Sequence, residues 1–230
     1  MSDPAVQFTA VGWDAPDNGG VQGVHFTVPR GGALVLVGGG SSGKTTALAL
    51  CLGGRRADAG SVTVLGWNPA ALNDAELEAL RARIGYVPQR GGLLANLTLH
   101  ENIALPAAYH RRLEQAEAEA EVERVHRLMG IDSLPAVLPG DAPRQLRQVA
   151  AIARALVLQP ELLLVDEPGV GLDESAAEEL WRLLWRIQTE TGTTVVATTT
   201  DARLALPLTD QVFRLPDSRR LTFTVIPVTG

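Results

Sequence analysis

The stretch GGGSSGKTT at residues 38–46 decides the fold of this chain. From Gly38 to Thr45 it satisfies the spacing G-x-x-x-x-G-K-[ST], the pattern of a phosphate-binding loop between a strand and a helix. The apolar run ALVLV (33–37) before it is typical of a buried strand, and TTALALCL within and after the stretch can form a helix. Glycines let backbone N–H groups converge on phosphate oxygens, and the helix adds the positive end of its dipole. The stretch therefore predicts a phosphate site, with a flexible Gly/Ser turn as the alternative.

Lys44 is the only lysine in a chain with twenty Lys and Arg residues. Its ammonium is a compact point charge, which suits the β- and γ-phosphates of a nucleotide better than the broad guanidinium fork of arginine. The next residue, Thr45, offers a hydroxyl to Mg²⁺. The loop residues predicted to bind the nucleotide are Gly38, Gly39, Gly40, Ser41, Ser42, Gly43, Lys44, Thr45 and Thr46.

The segment LLLVDE (162–167) matches the second half expected of such a site, an apolar strand that ends in an acid. We predict that Asp166 holds Mg²⁺ through water and that Glu167 polarises the attacking water. Two solvated acids at the end of an ordinary strand are the alternative. The phosphate loop elsewhere in the same chain disfavours that alternative.

Composition narrows the classes of protein that fit this chain. The 230 residues carry a net charge of −6, which argues against a dedicated nucleic-acid-binding protein. One cysteine, Cys51, excludes an intrachain disulfide and is predicted to pack in the core. The sequence shows no secretory signal pattern and no uncharged apolar run of about 18 residues, so no membrane span is predicted.

Strand and helix patterns alternate at both ends of the chain, which predicts an α/β fold with a largely parallel sheet and helices on its faces. Asn73 with Glu76 indicates a capping box, and Gly130 indicates the end of a helix. The predicted strands cover 6–11, 24–28, 33–37, 61–66, 161–168, 193–200 and parts of 211–228. The predicted helices cover the residues after the phosphate loop, 73–83, 111–129, 144–158 and 174–189.

Three further segments follow one another in a recognisable order: IGYVPQ (84–89), AAIARAL (150–156) and DEPGVGLD (166–173). Together with the phosphate loop they resemble the ATP-binding cassette (ABC) ATPases over nearly the whole chain. The resemblance implies a P-loop NTPase cassette, a single ATP-binding domain over 1–230. Such a cassette has a mixed or parallel sheet core and N-terminal antiparallel strands.

The resemblance also implies an internal division of the domain. A RecA-like core is expected at 1–89 and 159–230, around an inserted helical subdomain at about 90–158. Gln89 is implied as a metal ligand and as a sensor of the transmembrane partner. Asp173 is expected at the end of the segment that follows the catalytic acid.

Two positions depart from the family pattern. A gapless alignment places the family signature L-S-G-G-Q on Ala142, Pro143, Arg144, Gln145 and Leu146, so that its serine and both glycines are absent. A signature shifted to LPGDA (138–142) requires a four-residue insertion. Thr200 stands where the family usually has a histidine, and threonine can donate a hydrogen bond but carries no charge at neutral pH.

Trp13 is the candidate for the aromatic residue that stacks on adenine in the family. The best alignment instead places Ala15 at the usual position of that residue. A partly buried tryptophan without a ligand is the alternative reading of Trp13.

The implied activity is ATP hydrolysis with Mg²⁺ at the interface of two cassettes, in a homodimer or a heterodimer, coupled to transmembrane permease subunits. Slow or absent turnover is expected for a homodimer, because losing one transition-state donor costs about 10²–10³ in rate. The alternative is a regulatory or scaffolding cassette that binds ATP with little or no hydrolysis. A soluble P-loop kinase is disfavoured because it leaves Gln89 and the segment 166–173 unexplained.

The implied location is cytoplasmic and peripheral, on the inner face of the cell membrane. Residues 90–110, RGGLLANLTLHENIALPAAYH, resemble lipid-trafficking Mce-associated cassettes and the cell-division cassette. Lipid transport and a substrate-binding or Mce-type component are therefore predicted, with no nucleic-acid partner. The apolar residues of this segment are predicted to receive the membrane partner, and plain core of the helical lobe is the alternative.

Overall fold

The computed structural model describes residues 3–14, 20–110, 114–205, 208–209, 211–215 and 225–227, and the nine strands of this described part lie in two sheets. The strands are β1 (Val6–Trp13), β2 (Val21–Val28), β3 (Ala33–Val37), β4 (Ala59–Val64), β5 (Ile84–Val87), β6 (Leu162–Val165), β7 (Thr194–Thr199), β8 (Gln211–Arg214) and β9 (Val225–Pro227). Each predicted strand therefore has a counterpart, with ends shifted by a few residues.

The smaller sheet is antiparallel, with the strand order β2-β1-β4, and the larger sheet has the order β5-β6-β7-β3-β8-β9. The strands from β5 to β8 run parallel to their neighbours, and β9 pairs with β8 in the antiparallel sense. Parallel strands end at the same edge of a sheet, so the loops after β3, β6 and β7 meet there. The predicted α/β fold with N-terminal antiparallel strands is confirmed.

Six α-helices occupy the described ranges, and none of them is long and apolar enough to span a membrane. The helices are α1 (Lys44–Cys51), α2 (Asp74–Arg81), α3 (Leu99–His110), α4 (Gln115–Met129), α5 (Arg144–Leu156) and α6 (Glu174–Thr191), and single 3₁₀ turns cover Pro69–Ala71 and Ala202–Ala205. The sequence did not predict α3, because it contains Pro106 and its apolar residues lie on several sides.

Two helix termini follow the predicted capping chemistry. The Asn73 side chain accepts from the Glu76 backbone N–H, and the Glu76 carboxylate accepts from the Asn73 N–H, each at 3.0 Å. Gly130 ends α4 with φ +67°, a left-handed conformation that glycine adopts without strain. The predicted start of α4 at residues 111–113 lies outside the described residues.

The central strand β3 has both faces buried, which explains its unbroken apolar sequence. Val35 and Val37 point into a core that α3, α4, α5 and α6 cover. Leu34 and Leu36 point into a second core, which contains α1 and the antiparallel sheet. The larger sheet thus separates two apolar layers. The phosphate loop begins at the end of β3, next to both layers.

The helical middle of the chain shares a core with the larger sheet. Buried residues of α3, α4 and α5 belong to the same apolar cluster as Val165 of β6 and Leu184 of α6. The proposed division into a RecA-like core and a helical subdomain at about 90–158 remains a prediction.

Cys51 at the end of α1 is 1% exposed and packs in the apolar core, as predicted. Burial disfavours the charged thiolate and raises the pKa of this thiol to about 12. The thiolate is the reactive form of cysteine, so the folded chain keeps Cys51 unreactive at neutral and mildly basic pH.

We expect the Cys51 thiol to resist alkylation by iodoacetamide at pH 8 in the native chain and to react in full after unfolding in urea. Mass spectrometry after timed quenching measures the labelled fraction. Equal labelling rates in buffer and in urea would contradict the burial described here.

Candidate functional site

The predicted phosphate loop lies between the end of β3 and the start of α1. Gly43 adopts φ +87°, and a Cβ placed on it would lie 2.6 Å from the Trp13 indole nitrogen, so both conformation and space require glycine. No side chain caps the first turn of α1, which leaves its backbone N–H groups at the loop. A Cβ on Gly40 would meet nothing within 4 Å, so the loop borders open space at this residue.

Lys44 points back across the loop and is only 3% exposed. Its Nζ donates to the carbonyl oxygens of Gly38 at 2.7 Å and Gly39 at 2.6 Å. The same Nζ lies 3.1 Å from Glu167 Oε1. An ammonium has three donors, so binding a phosphate here requires Lys44 to exchange at least one of these acceptors for a phosphate oxygen.

Asp166 is the buried acid of the site, with 2% exposure. Its Oδ2 accepts from the Thr45 hydroxyl at 2.7 Å, and its Oδ1 accepts from the Thr198 hydroxyl at 2.7 Å. Its backbone N–H donates to Val87 O at 2.8 Å. Burial, followed by the Asp166 charge, raises the pKa of the nearby Tyr86 phenol, so that this group stays neutral at physiological pH.

Glu167 is held in an unusual backbone conformation, with φ +45°. A residue with a side chain pays about 1–3 kcal/mol for such a conformation, which persists only where the surroundings enforce it. Here the Glu167 N–H donates to Thr198 Oγ1 at 2.9 Å, and Gln89 Nε2 lies 3.5 Å from Glu167 Oε2. These contacts and the Lys44 pair direct the carboxylate toward the mouth of the phosphate loop.

Thr198 is a site residue that the sequence analysis missed. It is fully buried and joins the two acids, because its hydroxyl donates to Asp166 and accepts from the Glu167 N–H. In the sequence, Thr198 is one of several threonines in TTVVATTT (193–200). Threonine is a common strand residue, so the sequence does not mark Thr198 as part of a site.

The site can accommodate Mg²⁺ together with a nucleotide. Thr45 and Asp166 present hard oxygen donors 2.7 Å apart, which is the ligand type that Mg²⁺ prefers. In the described ranges no group of three or more His, Cys, Asp or Glu side chains could hold a metal ion. Mg²⁺ at Asp166 would therefore be completed by phosphate and water oxygens, and when bound it would neutralise phosphate charge. A metal contact from Gln89 remains a prediction.

Trp13 requires a correction. Its side chain is 0% exposed, its indole nitrogen has no hydrogen-bond partner among the residues that the structure describes, and its ring packs against Gly43 of the loop. A residue that stacks on adenine must offer an exposed ring face, so Trp13 supports the phosphate loop from within the core instead. Ala15, the other position considered, lies outside the described residues.

Thr200 lies in the exposed bend after β7, one residue beyond the end of that strand. Its side chain makes no hydrogen bond with the described part of the chain. Its assignment to the switch position therefore remains a prediction.

The segment predicted to align with the family signature, 142–146, runs into the start of α5. The helix begins at Arg144, directly after Pro143, which provides no side-chain cap. Gln145 Nε2 donates to Glu179 Oε2 at 2.9 Å, and a Cβ on Gly171 would lie 3.1 Å from the Arg144 guanidinium carbon. Large side chains therefore occupy this helix start, and its alignment with the signature glycines remains a prediction.

The predicted partner surface at 90–110 is divided between core and solvent. Leu99, Ile103 and Ala107 lie on one stripe of α3 and are fully buried. Leu105 is 39% exposed and Tyr109 is 73% exposed. The core reading therefore holds for the buried side of α3, and a partner contact on its exposed side remains a prediction.

A phosphate loop that faces an acid pair at the edge of a parallel sheet defines a nucleotide-binding α/β protein. A family model described as ABC transporter matches residues 21–170. The chain belongs to the ABC transporter family, and its predicted ABC cassette fold is confirmed.

Two relatives illustrate the similarity. The lipoprotein-releasing system ATP-binding protein LolD of Alcanivorax borkumensis is 36% identical over 189 residues, which is 80% of this chain and 81% of that protein. The methionine import ATP-binding protein MetN of Rhizobium johnstonii is 32% identical over 92% of this chain. That alignment covers 58% of MetN, so the chain spans little more than half of this relative.

Solved structures show the same cassette fold. A dimeric post-hydrolysis structure of the ATP-binding cassette MJ0796, bound to ADP and Pi, superposes with a TM-score of 0.82 and 25% identity, over 98% of this chain and 99% of that one. The structure of cbiO1 from Clostridium perfringens, part of the ABC transporter complex cbiONQ, gives a TM-score of 0.85, over 97% of this chain and 89% of that one. Its identity is 23%, so it supports the fold alone.

We expect Thr198→Val to weaken binding of ATP with Mg²⁺ and to lower stability by about 1–3 kcal/mol, because Asp166 and the Glu167 N–H lose a buried partner. Urea unfolding and calorimetric titration measure the two effects. Thr9→Val, at an exposed position of β1, is the matched control. If Thr198→Val has the same stability and the same nucleotide affinity as the native chain, Thr198 does not bridge Asp166 and Glu167 as described.

Proposed function

We propose that the chain is the ATP-hydrolysing subunit of an ABC transporter. The observation that supports this proposal is the arrangement of Asp166 between Thr45 and Thr198, with Glu167 directed at Lys44. A phosphate loop alone can bind a nucleotide without hydrolysing it. A second carboxylate at the mouth of the loop adds a group that can act on water.

The proposed chemistry divides the work among these residues. The loop N–H groups and Lys44 bind the phosphate oxygens of ATP, and the ammonium stabilises the charge that builds up on them. Glu167 orients a water molecule and accepts its proton as a general base. Thr198 fixes the backbone of Glu167, which keeps its carboxylate at the loop.

We further propose that hydrolysis is coupled to a membrane permease on the inner face of the cell membrane. The relatives LolD and MetN, named for lipoprotein release and methionine import, support a transport role. The exposed side of α3, with Leu105 and Tyr109, is the proposed contact surface. A lipid or lipid-modified substrate, with an Mce-type component, is the finer proposal, and the similarity to LolD supports its lipid part.

A second candidate function is a cassette that binds ATP and organises a membrane complex with little hydrolysis. Arg144 and Gln145 at the start of α5 favour it, since their side chains fill space at the position aligned with the signature glycines. Thr200 at the switch position favours it as well. Slow turnover is therefore proposed for the chain paired with itself, and a partner cassette with an intact signature would allow faster turnover.

We expect Glu167→Gln to reduce ATP hydrolysis to background while ATP binding becomes several-fold tighter. The substitution removes the base and also the negative charge that competes with phosphate for Lys44. Phosphate release and calorimetric titration with ATP and Mg²⁺ measure the two effects, on the purified chain and on its detergent-solubilised membrane complex.

The matched control is Glu190→Gln, an exposed acid near the end of α6 that pairs with Arg186. If the native chain hydrolyses ATP no faster than Glu167→Gln in both preparations, the second candidate function is favoured over the first. A complex that hydrolyses ATP no faster than the isolated chain would contradict coupling to a membrane partner.

A further inference from the structure

The buried indole of Trp181 faces the segment that follows Glu167. Trp181 lies on α6 with 1% exposure, and its Nε1 has no hydrogen-bond partner among the residues that the structure describes. Gly169 of the segment lies against this nitrogen, because a Cβ placed on Gly169 would be 3.8 Å from it. Buried donors in folded proteins are nearly always bonded, so the unpartnered indole N–H requires an explanation.

Residues 167–170 form a tight turn beside this indole. The Val170 N–H donates to Glu167 O at 3.1 Å, which closes the turn around Pro168 and Gly169. Proline followed by glycine favours a type II turn, because glycine readily adopts the positive φ that type II requires at its third residue. Gly169 does not have a positive φ, so the turn is of type I. The residues of this turn therefore permit a second conformation, which differs from the one described here.

The two conformations of the turn differ in the direction of one carbonyl group. Type I and type II turns are related by rotation of the peptide bond between the two central residues. Here that rotation carries the Pro168 carbonyl to the opposite side of the turn. Pro168 is buried, and within the described ranges its carbonyl oxygen accepts no hydrogen bond. An acceptor without a partner is thus adjacent in the chain to the glycine that contacts a donor without a partner.

The ion pair between Lys44 and Glu167 holds the turn at its first residue. Lys44 Nζ lies 3.1 Å from Glu167 Oε1, and the two side chains are 2% and 12% exposed. A nucleotide phosphate competes for the same ammonium and repels the Glu167 carboxylate. Glu167 has φ +45°, so loss of the pair removes one of the contacts that keep its backbone in this strained conformation. Phosphate binding at Lys44 is therefore expected to release the turn.

We infer that Trp181 is a positioning residue that responds to nucleotide at Lys44. When a phosphate displaces Glu167 from Lys44, the turn changes from type I to type II. The Trp181 N–H then donates to the Pro168 carbonyl, and this bond fixes the segment after Glu167 against α6. The inference rests on the proposed function only for nucleotide binding at Lys44, since it requires neither hydrolysis nor a second chain.

The indole N–H signals of an isotope-labelled chain test the inference by NMR, with Trp181→Phe to assign the Trp181 signal. We expect the Trp181 indole proton to move downfield when ATP and Mg²⁺ bind, because a hydrogen-bonded proton is deshielded. Trp185 lies one turn further along α6 with 48% exposure, so its indole signal is the internal control and is expected to stay in place. Bound nucleotide without a change at the Trp181 indole would overturn the inference.

A test without nucleotide uses Glu167→Ala, which removes the carboxylate that pairs with Lys44. We expect the Trp181 indole proton of this variant to lie downfield of its native position before ATP is added. Glu190→Ala, which removes an exposed acid of α6 that pairs with Arg186, is the matched control and is expected to leave the signal unchanged.

The same variant separates failure of the inference from failure of the proposed function. A folded native chain that does not bind ATP would count against the proposed function. The Glu167→Ala spectrum would then decide the inference, and an unshifted Trp181 signal in that variant would overturn it. Circular dichroism establishes that each variant is folded.

Calorimetric titration measures what the new hydrogen bond contributes to nucleotide binding. Trp181→Phe keeps an aromatic ring but removes the N–H donor. Because the bond forms only with nucleotide bound, its loss is expected to weaken ATP binding about three- to tenfold. In the Glu167→Ala background the turn is already released, so the same substitution is expected to leave ATP affinity unchanged.

Trp185→Phe is the matched control for this titration and is expected to leave ATP affinity unchanged in both backgrounds. An equal loss of affinity on Trp181→Phe in the native chain and in Glu167→Ala would show that the indole acts through the stability of the fold alone. That result would overturn the inference, as would unchanged affinity of Trp181→Phe in the native background.

Discussion

The Asp166 carboxylate is the contact on which the site depends. A buried carboxylate is costly unless its oxygens are hydrogen-bonded, and this one receives one hydroxyl from Thr45 of α1 and another from Thr198 of β7. The acid follows β6, so one side chain fixes the relative positions of two strands and the helix after the phosphate loop. Shifting any of these elements would leave a buried charge with too few partners.

Glu167 takes its position from the same contact. Its N–H binds the hydroxyl that also serves Asp166, and its backbone adopts a conformation that residues with side chains rarely occupy. The apolar core on both faces of β3 gives this edge of the sheet its rigidity. Strain at Glu167 is therefore balanced by the packing of the sheet, and the carboxylate is held opposite Lys44.

The sequence was sufficient where a local pattern requires one chemistry. The glycine spacing and Lys44 predicted the phosphate loop, ALVLV predicted a doubly buried strand, and the acids after LLLV could be placed at its end. It was insufficient where a residue acts through a contact distant in the chain. Thr198 is 32 residues from Asp166, and Trp13 meets Gly43 only in the folded chain, so no local pattern revealed the bridge or the burial of the indole.

The role of Asp166 is measured by calorimetric titration of ATP at increasing Mg²⁺, on the native chain and on Asp166→Asn. We expect Mg²⁺ to tighten ATP binding to the native chain and Asp166→Asn to lose about tenfold or more of this gain, since the amide cannot match the carboxylate charge. A folded native chain without affinity for ATP and Mg²⁺, or a gain from Mg²⁺ that does not depend on Asp166, would show that Asp166 does not have this role.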